Sequence, residues 1–115
     1  ATRGGAMLAS GDTFQILVSL ADRDRHGYSI LLDVADRTDG ALRFSPSSLY
    51  ASIKRLLHQG LIEEPAERPD PDEDDERRRY YRLTRLGRKV AEVEARRLQQ
   101  LLVPARATGL LGRRA

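Results

Sequence analysis

The stretch SPSSLYASIKRLLHQGLIEE, residues 45–64, constrains the fold more than any other part of the chain. Ser45 followed by Pro46 sets a helix start, because the hydroxyl accepts from a free backbone N–H and proline suits the first helical position. Gly60 sets the stop, since a helix closes readily through a left-handed residue when that residue is glycine. Between them Leu49, Ile53, Leu56 and Leu57 fall on one face at helical spacing, and LIEE continues directly as a short strand. The opposite face carries Ser47, Ser48, Ala51, Lys54, Arg55 and His58, with no acid in a chain that has 17.

The rest of the chain fits around this unit. Asp12 precedes the apolar segment TFQILVSLA, with Gln15 three residues on, a pattern that predicts a capped helix. A polar turn, DRDRHG, leads to a second amphipathic helix through Tyr28, Leu31, Leu32 and Ala35, which should stop near Gly40. ALRF, residues 41–44, reads as a brief strand. RYYRLT reads as another, with Tyr81 and Leu83 on one side and Tyr81 in the core. Thr84 should cap a last helix, RLGRKVAEVEARRLQQLLV, which Pro104 should end. The predicted class is mainly α with a small β-hairpin. Three helices and a two-stranded ribbon make a winged helix-turn-helix, followed here by a C-terminal helix. The third helix is the one offered to the DNA major groove. The expected divisions are a flexible leader over 1–11, the winged helix-turn-helix over 12–84, a dimerisation helix over 85–103 and a flexible tail over 104–115, with the wing and its acidic loop at 63–79.

Charge divides the chain. Residues 63–76 hold nine acids against one arginine, a local charge of −8, while the other 101 residues hold 19 Lys/Arg against eight acids, or +11. A domain that basic suits a polyanion. There is no cysteine and there are two histidines, so neither a thiolate metal site nor a histidine cluster can form. DPDEDDE, residues 70–76, fails as a calcium loop: counting from Asp70, the turn position is Asp75 and the twelfth is Tyr81. No phosphate-cradling glycine loop or nucleophile elbow is present. No enzyme activity, metal or cofactor is expected. No apolar run reaches the ~18 residues that span a bilayer, and the first residues lack a signal-peptide core. A soluble, cytoplasmic protein without a membrane partner is the expectation.

The predicted partner is double-stranded DNA. Ser47 and Ser48 sit in the first turn of the third helix, where free N–H groups favour phosphate. Lys54 and Arg55 lie further along, within reach of a base edge or a phosphate, and Tyr50 stands at the edge of the apolar stripe, open to packing or contact. Arg77, Arg78 and Arg79 at the hairpin foot either clamp phosphates or pair with the adjacent acids. The six acids of residues 70–76 either mask that foot from random DNA or are solvating filler. A rival from another class is a protein-interaction module that uses the acidic loop and binds little DNA. On the last helix Leu86, Val90, Val93 and Leu101 form one apolar edge and Ala91, Ala95, Leu98 and Leu102 a second, wider together than the ~100° stripe that one core contact needs. The second edge is expected to meet another copy of the chain.

HGYSILLDVADRT, SPSSLYASIKRLLHQGLIEE and RRRYYRLTRLGRK, in this order and spacing, closely resemble the PadR family of bacterial transcriptional regulators over roughly residues 13–102. The resemblance implies a homodimeric repressor on a palindromic operator, dimerised through the C-terminal helix and released by a small apolar or phenolic effector. By position it makes Ser47, Ser48, Tyr50 and Lys54 groove-facing and gives Arg77–Arg79 to the wing. The single C-terminal helix matches the shorter subtype, while the wing is longer and more acidic than in similar proteins.

Overall fold

The computed structural model describes residues 11–66 and 78–112. The elements are α1 (Gly11–Ser19), β1 (Arg25–His26), α2 (Gly27–Arg37), α3 (Pro46–His58), β2 (Ile62–Glu63), β3 (Tyr80–Leu83) and α4 (Arg85–Ala107). The strands form one antiparallel sheet in the order β1-β3-β2, with His26 opposite Tyr80 and Ile62 opposite Leu83. This is the expected mainly helical, winged arrangement, with one strand more than the expected hairpin.

That strand lies in DRDRHG, read from sequence as a polar turn, while Ala41–Phe44 is not a strand. Two residues carry no periodicity to read. Arg25 is instead held from its side chain, Nε donating to the Ser19 carbonyl (2.7 Å). In the 41–44 segment the Leu42 N–H donates to Thr38 Oγ1 (3.1 Å), so a side chain takes the bond that a ladder would need.

The helix ends show the local chemistry directly. Ser45 and Ser48 form a reciprocal capping box at the start of α3. α3 closes through Gly60 (φ 76°), with Gly60 N–H donating to Leu57 O and Leu61 N–H to Leu56 O. Beyond the end of α2 two successive residues are left-handed, Asp39 (φ 56°) and, as expected, Gly40 (φ 82°); aspartate tolerates that region better than most side chains. Asp12 lies in the first turn of α1, and Gln15 accepts from Arg37 through Oε1 (2.7 Å). α4 starts as expected on Thr84, whose Oγ1 accepts from Gly87 N–H (2.9 Å). It runs through Pro104 to Ala107 and closes at Gly109 (φ 84°). Proline removes one donor to the preceding turn, but the residues after it still bond forward, Thr108 N–H reaching Pro104 O (3.0 Å).

The core joins Ile16 and Leu17 of α1, Ile30 and Val34 of α2, Leu49, Ile53 and Leu56 of α3, and Leu61, Ile62 and Tyr81 of the wing. Tyr81 is buried, as expected, and burial raises the pKa of its hydroxyl, with Glu64 and Tyr50 adding to the effect. α4 places Val90 and Ala91 against this core.

A polar cluster behind the core was not foreseen. Asp33 of α2 accepts from Ser19 Oγ (2.8 Å) and Arg37 Nε (2.8 Å) and faces Arg25 Nη2 at 3.5 Å. Arg37 reaches on to the Gln15 carbonyl (3.1 Å). The cluster fastens α1, β1 and α2 together. Burial would raise the Asp33 pKa, but the hydrogen bonds from Arg37 and Ser19 and the two guanidinium charges outweigh it and hold it below its ordinary value. A folded-state pKa below the unfolded one stabilises the fold above the ordinary carboxylate range and loses that effect as pH falls through the folded value. Asp33→Asn is therefore expected to cost about 1–3 kcal/mol at neutral pH. Its deficit in thermal melting should shrink as pH is lowered below about 4. A constant deficit from neutral to strongly acidic pH would show that charge is not the source.

Candidate nucleic-acid interface

α3 separates its two faces cleanly. Leu49, Ser52, Ile53 and Leu56 are buried, whereas Ser47, Ser48, Ala51, Lys54, Arg55 and His58 are all exposed. A shallow open concavity of about 580 Å³ runs along Ala51, Lys54, Arg55, His58 and Gln59. Gln59 was not singled out from sequence, because it follows the last helical residue and falls outside the periodic pattern.

The predicted contact residues differ in how free they are. Lys54 makes no hydrogen bond or ion pair among the described residues. Arg55 is tethered through Nη2 to Ser52 Oγ (3.1 Å). The Ser48 hydroxyl is engaged in the capping box, accepting from Ser45 N–H (3.1 Å), and Ser47 Oγ lies 3.3 Å from Ser45 Oγ. These serines build the helix start and leave the long side chains to reach outward.

Tyr50 is half exposed and occupies a defined place. Its hydroxyl end lies against Gly27 so closely that a Cβ there would collide with it. Two motifs far apart in sequence, HGY at 26–28 and SLY at 48–50, thus meet where α2 begins. His26 caps α2, with Nδ1 accepting from Ser29 N–H (3.2 Å). Its ring stands edge-on to Tyr80 at 5.3 Å between centroids, and its Nε2 lies 3.2 Å from Arg78 Nη1. The wing foot is therefore joined to the start of α2, and α2 to α3.

Of the arginine foot, Arg79 pairs with Glu64, just past the end of β2 (3.2 Å), and on β3 Arg82 pairs with Glu63 (3.0 Å). Arg77 and the acidic residues 70–76 lie outside the described residues. On α4, Ala95 and Leu102 are exposed, Leu98 is half-buried and Ala91 packs on the chain's own core. The most exposed apolar side chains of the helix are Leu86, Val93, Leu101 and Val103. No helix among the described residues is long and apolar enough to cross a membrane.

The family model described as the Transcriptional regulator PadR-like family matches residues 16–93. The chain belongs to that family. Its members are DNA-binding transcriptional regulators of winged-helix fold, not enzymes. A solved transcriptional regulator from Clostridium thermocellum is 26% identical, with a TM-score of 0.64 over 77% of this chain and 81% of that one. Bacillus subtilis PadR, solved in complex with operator DNA, is 19% identical, with a TM-score of 0.63 over 75% of this chain and 47% of its own. A PadR family transcription regulator from Clostridium difficile is 22% identical, with a TM-score of 0.61 over 81% and 95%. Among curated proteins, an uncharacterised Lysinibacillus sphaericus protein is 36% identical over 73 residues, 64% of either chain. An uncharacterised 37.1 kDa transposon protein of Streptomyces fradiae is 34% identical over 86 residues, 75% of this chain but 22% of its own length.

The family motifs acquire physical meaning here. Gly27 is required because Tyr50 fills the space its side chain would take. Gly27→Ala displaces the flexible end of a tyrosine and not backbone, so the fold is expected to survive it. In a double-mutant cycle by thermal melting, the penalty of Gly27→Ala should largely vanish in a Tyr50→Ala background. The expected coupling is about 0.5–3 kcal/mol. Additive penalties would mean that the two residues do not share the space.

Proposed function

We propose that this PadR-like regulator is a repressor that binds a palindromic operator as a homodimer, reading the major groove with the exposed face of α3. The observation that supports it best is the division of α3, with three apolar anchors buried and six acid-free positions on the opposite side exposed. A groove about 12 Å wide admits a helix with such a face. Lys54, unpaired and central, is the leading candidate for a base or phosphate contact. Arg55 must first leave Ser52. Release by a small apolar effector completes the reading on the strength of the family resemblance alone. The rival reading as an interaction module rests on the acidic loop, outside the described residues, and salt-sensitive duplex binding separates the two.

Selection of bound duplexes from a random pool is expected to recover a palindrome. On that operator, Lys54→Ala should cost about 1–3 kcal/mol and relax preference at one position if Lys54 meets a base. If it meets a phosphate, the salt slope should fall by about one unit. Arg55→Ala should cost less. Both variants binding like wild type would remove α3 as the reading head.

The homodimer is proposed to form through α4. Val90 and Ala91 are already used within the chain, so the surface offered to a second copy is centred on Leu101 and Leu102, with Val93 and Leu86 on one side and Ala95 and half-buried Leu98 on the other. Leu101→Glu with Leu102→Glu is expected to give a folded monomer by sedimentation at micromolar concentration, because neither side chain belongs to the core. A wild-type chain that already sediments as a monomer there would refute this interface.

A further inference from the structure

We propose that Ala51 reads the 5-methyl group of a thymine in the operator, close to a guanine met by Lys54. The inference rests on α3 being the reading helix and names what the centre of that helix recognises. Helical spacing places Ser47, Ala51, Lys54 and His58 at i, i+4, i+7 and i+11, one line along the exposed face. Buried Leu49, Ile53 and Leu56 lie on the opposite side. The long side chains beside the line are held back from it. Tyr50, on one flank, rests its hydroxyl end on Gly27. Arg55, on the other, donates from Nη2 to Ser52 Oγ (3.1 Å). Ser47, one turn before Ala51, is short, with Oγ 3.3 Å from Ser45 Oγ. The surface therefore dips at Ala51, the first residue of the open concavity that continues along Lys54, Arg55, His58 and Gln59.

At that dip the helix can approach the groove floor, and it presents one methyl with neither donor nor acceptor. The base edges there offer hydrogen-bonding groups, which an alanine would cover without pairing, and one methyl, that of thymine. Covering a polar group without a partner costs free energy. Setting methyl against methyl buries apolar surface on both sides. Three residues of helix rise about 4.5 Å, against about 3.4 Å between successive base pairs. Lys54 therefore falls within two base pairs of that thymine, and its amine suits guanine O6 and N7.

The test uses the full chain and the operator recovered from the random pool. Each thymine is replaced in turn by deoxyuridine, which keeps the pairing and loses the methyl. One thymine in each half-site, within two base pairs of a guanine, is expected to weaken wild-type binding about fourfold when its methyl is removed. 5-Methylcytosine there should bind more tightly than cytosine by a similar factor. In Ala51→Gly the deoxyuridine replacement at that position should have no effect. Lower helix stability alone would weaken both duplexes equally and keep the fourfold ratio. A second selection with Ala51→Gln, which keeps a good helix former and can bond adenine at N6 and N7, should change that base from thymine to adenine. No thymine sensitive to its methyl, the wild-type ratio persisting in Ala51→Gly, or an unchanged palindrome with Ala51→Gln would overturn the assignment while leaving DNA binding by α3 intact. A wild-type chain that recovers no duplex from the pool would overturn the DNA reading and this assignment together.

Discussion

The domain depends on a backbone contact at Leu61. Its N–H closes α3 by donating to Leu56 O (3.0 Å), and its carbonyl accepts from Thr84 N–H (3.1 Å). The Thr84 hydroxyl donates to Gly60 O (2.6 Å) while accepting from Gly87 N–H to cap α4. Gly87 lies so close that any Cβ would strike the Leu61 carbonyl oxygen. The partner in that collision is backbone, which has no rotamer to escape into, unlike the tyrosine tip that faces Gly27. One small junction therefore sets the end of α3, the start of the wing and the direction in which α4 leaves. The GLI and TRLG motifs belong together because neither closes without the other.

Much of this was legible because it depends on chemistry local in sequence. Ser45 with Pro46, Gly60 and Thr84 mark helix ends through bonds within three or four residues, and the α3 stripe needs only helical geometry. What escaped notice depends on pairs distant in sequence. β1 exists because β3 offers an edge to Arg25 and His26, and the Asp33 cluster joins residues 4 to 22 positions apart through side chains that look solvated in the linear text. Gly40 takes the left-handed place expected of it, and Asp39 just before it does so as well, which no local signal marked. The fold was therefore more legible than the contact surface. Ser48 is expected to face the groove, and its hydroxyl also serves the cap; for Arg79 clamping a phosphate and pairing with an acid were both open, and it pairs with Glu64.

These occupancies change how the surface should be weighed. A pair as exposed as Arg79 and Glu64 contributes little to stability, but it lowers the charge that Arg79 can offer a phosphate. Arg55 has a smaller obstacle, one neutral hydroxyl. Lys54 has none among the described residues. The basic face of α3 is therefore graded, with Lys54 at its centre. Tyr50 links α3 to the start of α2 by packing on Gly27.

α4 carries the remaining step. Among the described residues none of the twelve buried hydrophobic side chains comes from it, and it is anchored by Gly87, half-buried Val90 and Ala91, and Arg88 Nη2 donating to Ala21 O (2.7 Å). Beyond Ala91 the Glu94–Arg97 pair (2.6 Å) lends support, its hydrogen bond holding the Glu94 carboxyl below its ordinary pKa. A single pair within one helix turn adds little to stability, and helices with little tertiary packing are marginal in water. The exposed apolar surface from Val93 to Val103 therefore has much to gain from burial. In the proposed dimer that burial stabilises α4 and, through the Leu61 junction, orients two copies of α3 at once. Folding of the last helix and spacing of the two reading heads then become one property, governed by a few backbone atoms around Leu61 and Gly87.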